Sequence, residues 1–236
     1  MPEPLQVVLS VVGLIAFFVV GTLVILRLAS SPSDRAVART KRRAEGARAD
    51  VAAAAGRHGW HVRTGPAADR PFPADLAMTY AEPRSCDQVV EGRRPLRFTA
   101  ETWTMGRRNA GSAVAVPVRQ HLTHVVPPNL TRPLPRFAVA RGRLLAFAPV
   151  NLPDDLVRAE NRRIDEAQVW GDDQGLAEWL RPVLPALVDA EVWLVVGPDR
   201  LVLSREGELD EDGLLARLAL AQQVVAAVEA ADAAGR

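Results

Sequence analysis

The chain of 236 residues has a single cysteine and a single lysine, and both scarcities exclude classes of protein. Because Cys86 is alone, no disulfide bridge can form within the chain, which excludes a small secreted domain built on disulfides. A phosphate-binding loop of the G-x-x-x-x-G-K-[ST] type needs a lysine in that motif, and Lys41 does not stand in one. With 16 glycines and 18 prolines, the composition also excludes a collagen-like chain.

Signatures of several common enzyme classes are missing as well. The sequence contains no G-x-S-x-G, no H-E-x-x-H and no C-x-x-C, and no G-x-G-x-x-G follows an expected strand. Hydride transfer, zinc-dependent proteolysis and α/β-hydrolase chemistry therefore have no basis in the sequence. We assign no catalytic residue, no cofactor and no metal ligand, and the sequence favours a protein that is not an enzyme while leaving the question open.

The four histidines form two H-x-x-H pairs, His58 with His61 and His121 with His124. On a strand, residues three apart point to opposite faces, so His121 and His124 are not expected to share a metal ion. No cysteine or group of acids completes a ligand set beside His58 and His61. We interpret all four as surface or packing histidines.

One long hydrophobic run dominates the beginning of the chain. From Leu5 to Leu26 no residue is charged, and a helix of that length reaches about 33 Å, enough to cross the hydrocarbon core of a bilayer. A cleaved signal peptide is the alternative, but it needs a basic start and a shorter apolar core, and residues 1–4 contain no lysine or arginine. The run therefore predicts a transmembrane helix, residues 5–26, that anchors the protein in the lipid bilayer.

Basic residues beside this run indicate its orientation. The N-terminal flank has none, whereas a series of basic residues begins at Arg27 and continues to Arg48. Because lysine and arginine close to a span stay on the cytoplasmic side, we expect residues 1–4 outside the cell and everything after Arg27 in the cytoplasm. The prediction is a single-pass protein of the cell membrane with a cytosolic C-terminal domain.

A stretch rich in alanine and arginine follows the run. Ser33 to Ala55 has the composition of a helix, and Gly56 is expected to stop it, so residues 27–56 are predicted to be a basic juxtamembrane helix. Next to an inner leaflet, each basic residue would gain about 1 kcal/mol from anionic lipid. A solvated spacer that only fixes the topology is the alternative. The candidate lipid headgroup contacts lie within one arc of the helix and are Arg35, Arg39, Arg42 and Arg43.

The near-neutral total of 29 basic and 28 acidic side chains hides a strong asymmetry. Residues 27–150 hold 21 basic and 9 acidic side chains, a net charge of +12, whereas residues 151–236 hold 8 and 18, a net charge of −10. The simplest cause is that the two parts pack together or present opposite faces of one domain.

Residues 57–232 are predicted to form one cytosolic α+β domain, a mainly antiparallel sheet with helices covering one face. Pro117 within an expected strand indicates an edge position or a bulge. A one-faced apolar stripe predicts a helix from Glu211 to about Ala231, and two shorter helices are expected before and after Leu180. The expected strands are 86–92, 95–105, 112–126, two pieces of 137–149, 162–170, and a hairpin joined by 197–199.

The remaining candidate functional residues are tryptophans, the single cysteine and groups of acidic residues. Tryptophans usually pack in cores, and a ligand groove lined by Trp60 and Trp103 is the functional alternative. Cys86 is expected to be a buried, inert thiol. Acidic groups such as Asp154-Asp155 and residues 210–212 are expected to cap helices.

Several local sequences carry a resemblance to one group of proteins. Beside the early span and its arginine-rich neck, they are Arg57-His58-Gly59-Trp60, Val89-Val90-Glu91-Gly92, the Phe98 to Trp103 strand, Glu160-Asn161-Arg162-Arg163 and Trp179-Leu180-Arg181-Pro182. In these features the chain resembles uncharacterised single-pass membrane proteins of high-GC actinobacteria, a family of unknown function. The resemblance implies a membrane-anchored domain and no known activity.

Three functions follow as hypotheses. The first is a membrane-anchored cytosolic binding or scaffold domain that recruits a protein partner or a small ligand. The second is a peripheral lipid-sensing module that docks on anionic lipid at the inner leaflet. The third is a membrane-anchored hydrolase that uses a histidine and an acid from the acidic C-terminal part. Nucleic acid is not an expected partner, because no aromatic residue interleaves with the basic strip.

Overall fold

The structure is a computed structural model, and it describes only part of the chain. The predicted transmembrane helix, residues 5–26, and the candidate contacts Arg35 and Arg39 lie outside the described residues. The chain divides into two compact units, one ending at Gly46 and the other beginning at Ala47. Of the first unit, the described residues are helical and include Arg42 and Arg43, both exposed. The described ranges are 41–79, 81–108, 115–131, 133–141, 151–171 and 180–234.

The second unit is built on one sheet of nine strands, in which every neighbouring pair is antiparallel. This confirms the predicted α+β class with a mainly antiparallel sheet. The strands are β1 (His61–Thr64), β2 (Glu82–Gly92), β3 (Phe98–Arg108), β4 (Ala115–Val125), β5 (Phe137–Arg141), β6 (Asn161–Ile164), β7 (Ala167–Gly171), β8 (Trp193–Val196) and β9 (Leu201–Glu206). Their order across the sheet is β1-β2-β3-β4-β9-β8-β5-β7-β6.

Helices of very different lengths accompany the sheet. The longest, α4, starts where predicted, because the Asp210 side chain accepts a hydrogen bond from the Gly213 backbone N–H at 2.9 Å and two more acids occupy the first turn. Asp210 therefore caps the helix, as expected, and Glu211 and Asp212 place negative charge in its first turn. The α-helices in the described residues are α1 (41–58), α2 (Asp154–Val157), α3 (Leu184–Asp189) and α4 (Glu211–Ala233), and a 3₁₀ turn spans Gly65–Ala68.

The end of α1 corrects one prediction. Gly56 does not stop the helix, which continues to residue 58. Gly59 ends it instead, with a φ of +67° that favours glycine. The Trp60 N–H donates to the Ala55 carbonyl at 2.8 Å, the bond expected when a left-handed residue closes a helix. The helix end therefore places Trp60 directly in front of β1.

The part of α1 that belongs to the second unit covers one face of the sheet together with α3 and α4, and we call this the helical face. The predicted stripe on α4 is buried there and includes Leu214, Leu218, Ala221, Val225 and Val228. Among the described residues, α4 alone is long and apolar enough to cross a membrane, yet half of its most apolar window is buried in the domain. A core helix packed on a sheet accounts for α4.

The opposite face of the sheet is covered too, which the sequence did not predict. Residues 65–79, mostly irregular in structure, residue 81 and the short helix α2 pack against it. Met78 and Leu156 are buried with Trp170 of β7, and Ala77 is buried with Trp103 of β3. The sheet is therefore buried on both faces.

Three local features of the sheet bear on the predictions. The prediction of a single strand at 162–170 is wrong. These residues form a hairpin of β6 and β7 that turns at Asp165, whose φ is +52°. Strand β3 continues to Arg108 through residues expected to form a turn. Pro117 lies opposite Gly106 on β3, but β9 pairs with β4 only from Gln120 onward, so the predicted local edge position is confirmed.

Candidate anion-binding cleft

A cleft of about 630 Å³ opens where α1 ends and β2 leads into β3. Its lining comes from residues 58–61, from the end of β2, and from the loop of residues 93–97 with the start of β3. This volume is in the usual range for a site that takes a small molecule. The basic side chains in the lining are His58, His61, Arg93, Arg94 and Arg97.

Trp60 forms the floor of the cleft. Its ring packs edge to face on Phe98, with centroids 5.2 Å apart, and stacks on His58 at 4.5 Å. Its indole Nε1–H donates to the Arg94 carbonyl at 3.2 Å. Because α1 ends directly before Trp60, these contacts hold the 93–97 loop against the end of the helix.

Gly92 is required by the packing of this floor. A Cβ atom at this position would lie 2.2 Å from the Phe98 ring and 2.7 Å from the Trp60 ring. Those distances are far shorter than any non-bonded contact between carbon atoms, so a larger residue would displace both rings. The glycine thus allows the strand to pass directly beneath the two aromatic side chains.

The cleft carries a net positive charge. Arg93, Arg94 and Arg97 are exposed, and within the described part of the chain their guanidinium groups form no ion pair. Glu91 is the one carboxylate in the lining, and it pairs with Arg63 and lies 3.8 Å from a nitrogen of Arg70. Its charge is therefore already engaged, and the three arginines remain available to an anion.

A histidine and an acid meet at the edge of the cleft. His58 Nε2 lies 3.5 Å from a carboxylate oxygen of Glu211, the first residue of α4. Arg57 forms an ion pair with the same carboxylate. The sequence-based hydrolase hypothesis needs such a pair, with the acid from the C-terminal part. The geometry shows a contact that ties the end of α1 to the start of α4.

His121 and His124 lie on opposite faces of β4, as predicted. His121, on the helical face, is 1 % exposed. Its Nε2–H donates to the Gly207 carbonyl at 2.6 Å, and Nδ1 lies 3.1 Å from the Thr102 hydroxyl. Burial, together with the charge of Arg217, lowers the pKa of His121 to about 3, so the ring is neutral at physiological pH.

His124 faces a buried carboxylate on the opposite side of the sheet. Glu101 accepts from Trp103 Nε1–H at 2.8 Å and from Arg70 at 2.7 Å, and it lies 3.6 Å from His124 Nε2. Burial raises the pKa of Glu101, but His124, Trp103 and Arg70 outweigh it, so the pKa stays below its usual value. The nearby Cys86 thiol is buried, and desolvation raises its pKa to about 11, which confirms the predicted inert thiol.

The sequence-predicted residues are distributed over different parts of the structure. Trp60 and Trp103 do not line one groove, because Trp103 is buried on the opposite face beside Phe72. Arg42 and Arg43 are exposed on α1, and neither belongs to the lining of the cleft. Within the described ranges, no three His, Cys, Asp or Glu side chains come together as metal ligands.

The sequence alone did not predict that the arginines of the cleft form a binding site. The signal was present as three arginines within five residues, Arg93 to Arg97, directly after Gly92. No protein-family model, curated protein or solved structure matches the chain. The resemblance to actinobacterial single-pass membrane proteins therefore stays a prediction.

Proposed function

We propose that the protein is a membrane-anchored cytosolic binding domain whose cleft takes a small anionic ligand bearing phosphate. One observation supports this most: Arg93, Arg94 and Arg97 stand exposed around an aromatic floor and form no ion pair with any residue that the structure describes. Guanidinium groups match the geometry of phosphate oxygens and can donate two parallel hydrogen bonds to them. The cleft therefore offers charge, directional donors and an apolar surface together.

The anchoring part of the proposal rests on the sequence. The uncharged run from Leu5 to Leu26 crosses the membrane, and the basic flank from Arg27 holds the C-terminal domain in the cytoplasm. Reporter enzymes fused after Arg236 test it: a reporter that works only in the cytoplasm should be active. Activity of a reporter that works only outside the cytoplasm would contradict the orientation.

Binding of inorganic pyrophosphate to the full chain in a neutral detergent tests the ligand class. We expect the triple variant Arg93→Gln, Arg94→Gln, Arg97→Gln to weaken binding about tenfold or more, since each exposed contact contributes roughly 0.5 kcal/mol. Isothermal titration calorimetry measures the affinity directly.

A matched triple variant controls for the change in net charge. Arg158→Gln, Arg162→Gln and Arg163→Gln remove the same charge in and just before β6, which forms the opposite edge of the sheet. We expect this control to change the affinity less than twofold. Equal weakening in both triple variants would show that general electrostatic attraction, and not the cleft, binds the anion.

A lipid-docking function is the second candidate, and the exposure of Arg42 and Arg43 on α1 favours it. In nanodiscs, replacing zwitterionic lipid by anionic lipid should then protect these residues from arginine-modifying reagents. Protection should fall as salt rises, because exposed charges are screened. Equal modification in both kinds of nanodisc would exclude this contact.

A further inference from the structure

A second group of basic and hydroxyl side chains lies beneath α4, on the helical face. It consists of Arg217 from α4, His121 and Thr123 from β4, and Arg205 from β9, and we call it the α4 patch. Register places these strand residues together: His121 pairs with Arg205, and Thr123 lies two positions further along the same face of β4. Helix α4 packs on β4.

Arg217 is the unusual member of the α4 patch. It is 5 % exposed, and its Nη1 atom is buried without a hydrogen-bond partner in the described part of the chain. Burial and the charge of Arg205 lower the pKa of Arg217 to about 9, so the group still carries its proton at neutral pH. Buried charges are normally paired, because desolvation of an isolated ion is very costly.

Of the carboxylates nearest to Arg217 in sequence, Asp210 accepts from the Gly213 N–H, Glu211 pairs with Arg57, and Asp212 is exposed. Glu206 is engaged in an ion pair with Arg107, and Glu208 lies in the field of Arg119 and Arg48. Among the described residues, the charge that acts on Arg217 is that of Arg205, whose own side chain is exposed, and no acid contributes. No described carboxylate therefore balances the buried charge of Arg217.

Thr123 supplies a second, independent observation. It is fully buried, and its Oγ1 has no hydrogen-bond partner among the described residues. Both nitrogens of the neighbouring His121 are already used, by Thr102 and by the Gly207 carbonyl. Two buried hydrogen-bond donors beneath α4, one of them charged, therefore lack an acceptor.

We propose that the α4 patch is an internal binding site for a small inorganic anion of halide size, held by Arg217 Nη1–H and the Thr123 hydroxyl. The site takes only a small ion, because both side chains are almost completely enclosed. An anion here balances the guanidinium charge and accepts the two unpaired hydrogen bonds. The site uses no residue of the cleft lining and is independent of the function proposed for the cleft.

Thermal unfolding of the full chain in a neutral detergent tests the site. Sodium gluconate is replaced by sodium chloride at constant ionic strength, so that only the anion changes. At ten times the dissociation constant, chloride should raise the unfolding temperature by about 3–6 °C. The variant Arg217→Met should lose this response, because it removes the charged donor.

Arg136→Gln is the matched control. Arg136 is also partly buried, but it has a carboxylate partner in Asp155 at 2.7 Å. This variant should unfold at a lower temperature and keep the full response to chloride. A chloride response of the same size in Arg217→Met, or no response in the parent protein, would overturn the proposal.

Bromide provides a second measurement that does not depend on the stability of a variant. Crystals of the parent protein grown in bromide should give an anomalous peak within about 3.5 Å of Arg217 Nη1, at hydrogen-bond or ionic-contact distance. Anomalous peaks only at exposed arginines such as Arg94 would overturn the assignment to the α4 patch.

Discussion

As far as the described ranges show, the cleft and the α4 patch both hold arginines without carboxylate partners, and the two regions differ in burial. In the cleft, Arg93, Arg94 and Arg97 are exposed, so water solvates their charge and an unpaired group costs little. In the α4 patch, Arg217 is enclosed, so its unpaired charge costs several kcal/mol unless an anion accompanies it. The first region can bind its ligand reversibly at the surface, whereas the second holds an ion as part of the fold.

The largest expected effect is a loss of stability at acidic pH caused by His121. The pKa of His121 is about 3 in the folded protein and near 6.5 in the unfolded chain, so between these values the unfolded chain binds a proton that the folded protein does not. Stability from this group is complete above pH 6.5 and is lost as the pH falls towards 3. Between pH 6.5 and 4.5 the free energy of unfolding should drop by about 2 kcal/mol.

Urea unfolding of the full chain at several pH values measures this drop. The variant His121→Gln should show a much smaller slope over the same range, because glutamine does not titrate. Glu101, with its lowered pKa, contributes to the loss at the acidic end in both proteins alike. Parallel slopes for parent and variant would contradict a buried neutral His121.

The next effect concerns the floor of the cleft. Gly92→Ala should destabilise the domain by about 1–3 kcal/mol, because the new methyl group collides with the rings of Phe98 and Trp60. Gly56→Ala is the control, since a Cβ at that helical position meets nothing within 4 Å. It should stabilise α1 by up to about 1 kcal/mol. Urea midpoints compare the two, and a shift in the same direction would contradict the packing described for the floor.

A smaller effect is expected for Arg217→Met in gluconate buffer without halide. Removing a buried charge that has no partner should leave the free energy of unfolding within about 1 kcal/mol of the parent or raise it. Chemical denaturation in that buffer measures it. A loss of 3–5 kcal/mol would mean that a broken ion pair, not an unpaired charge, occupied the α4 patch.

The smallest effect on stability is expected in the cleft. Each substitution of Arg93, Arg94 or Arg97 by glutamine should change the free energy of unfolding by less than about 0.5 kcal/mol, because these side chains are exposed and have no ion-pair partner among the described residues. Their effect should appear in ligand affinity instead. If the triple variant failed to fold, the arginines would be structural and the contrast with Arg217 would disappear.

The sequence was sufficient where a pattern repeats along one element. The apolar stripe and the acidic cap predicted α4 from Glu211, and alternation predicted most strands. It was insufficient where the structure depends on distant partners. Residues 65–79 and 81 have no periodicity, so their cover of the opposite face was not foreseen, and a two-residue turn at Asp165 was too short to be recognised.

The sites were harder to predict than the fold for the same reason. Three neighbouring arginines define a cleft only because Trp60 ends α1 beside them and because Glu91 is engaged by Arg63. In the sequence Arg217 looks like an ordinary helical arginine, and only the fold shows that its charge acts on His121 of β4. Pairing and burial, which decide what a guanidinium group does, are properties of the tertiary structure.

The most direct test of the cleft uses its own tryptophan. The Trp60 indole N–H donates to the Arg94 carbonyl, whereas the Trp103 indole N–H donates to Glu101 on the opposite face. In a nitrogen-15 labelled full chain, with Trp60→Phe used for assignment, titration with pyrophosphate should shift the Trp60 indole resonance saturably and leave that of Trp103 unchanged. No shift at Trp60, or equal shifts at both tryptophans, would contradict an anion-binding cleft formed by Arg93, Arg94 and Arg97.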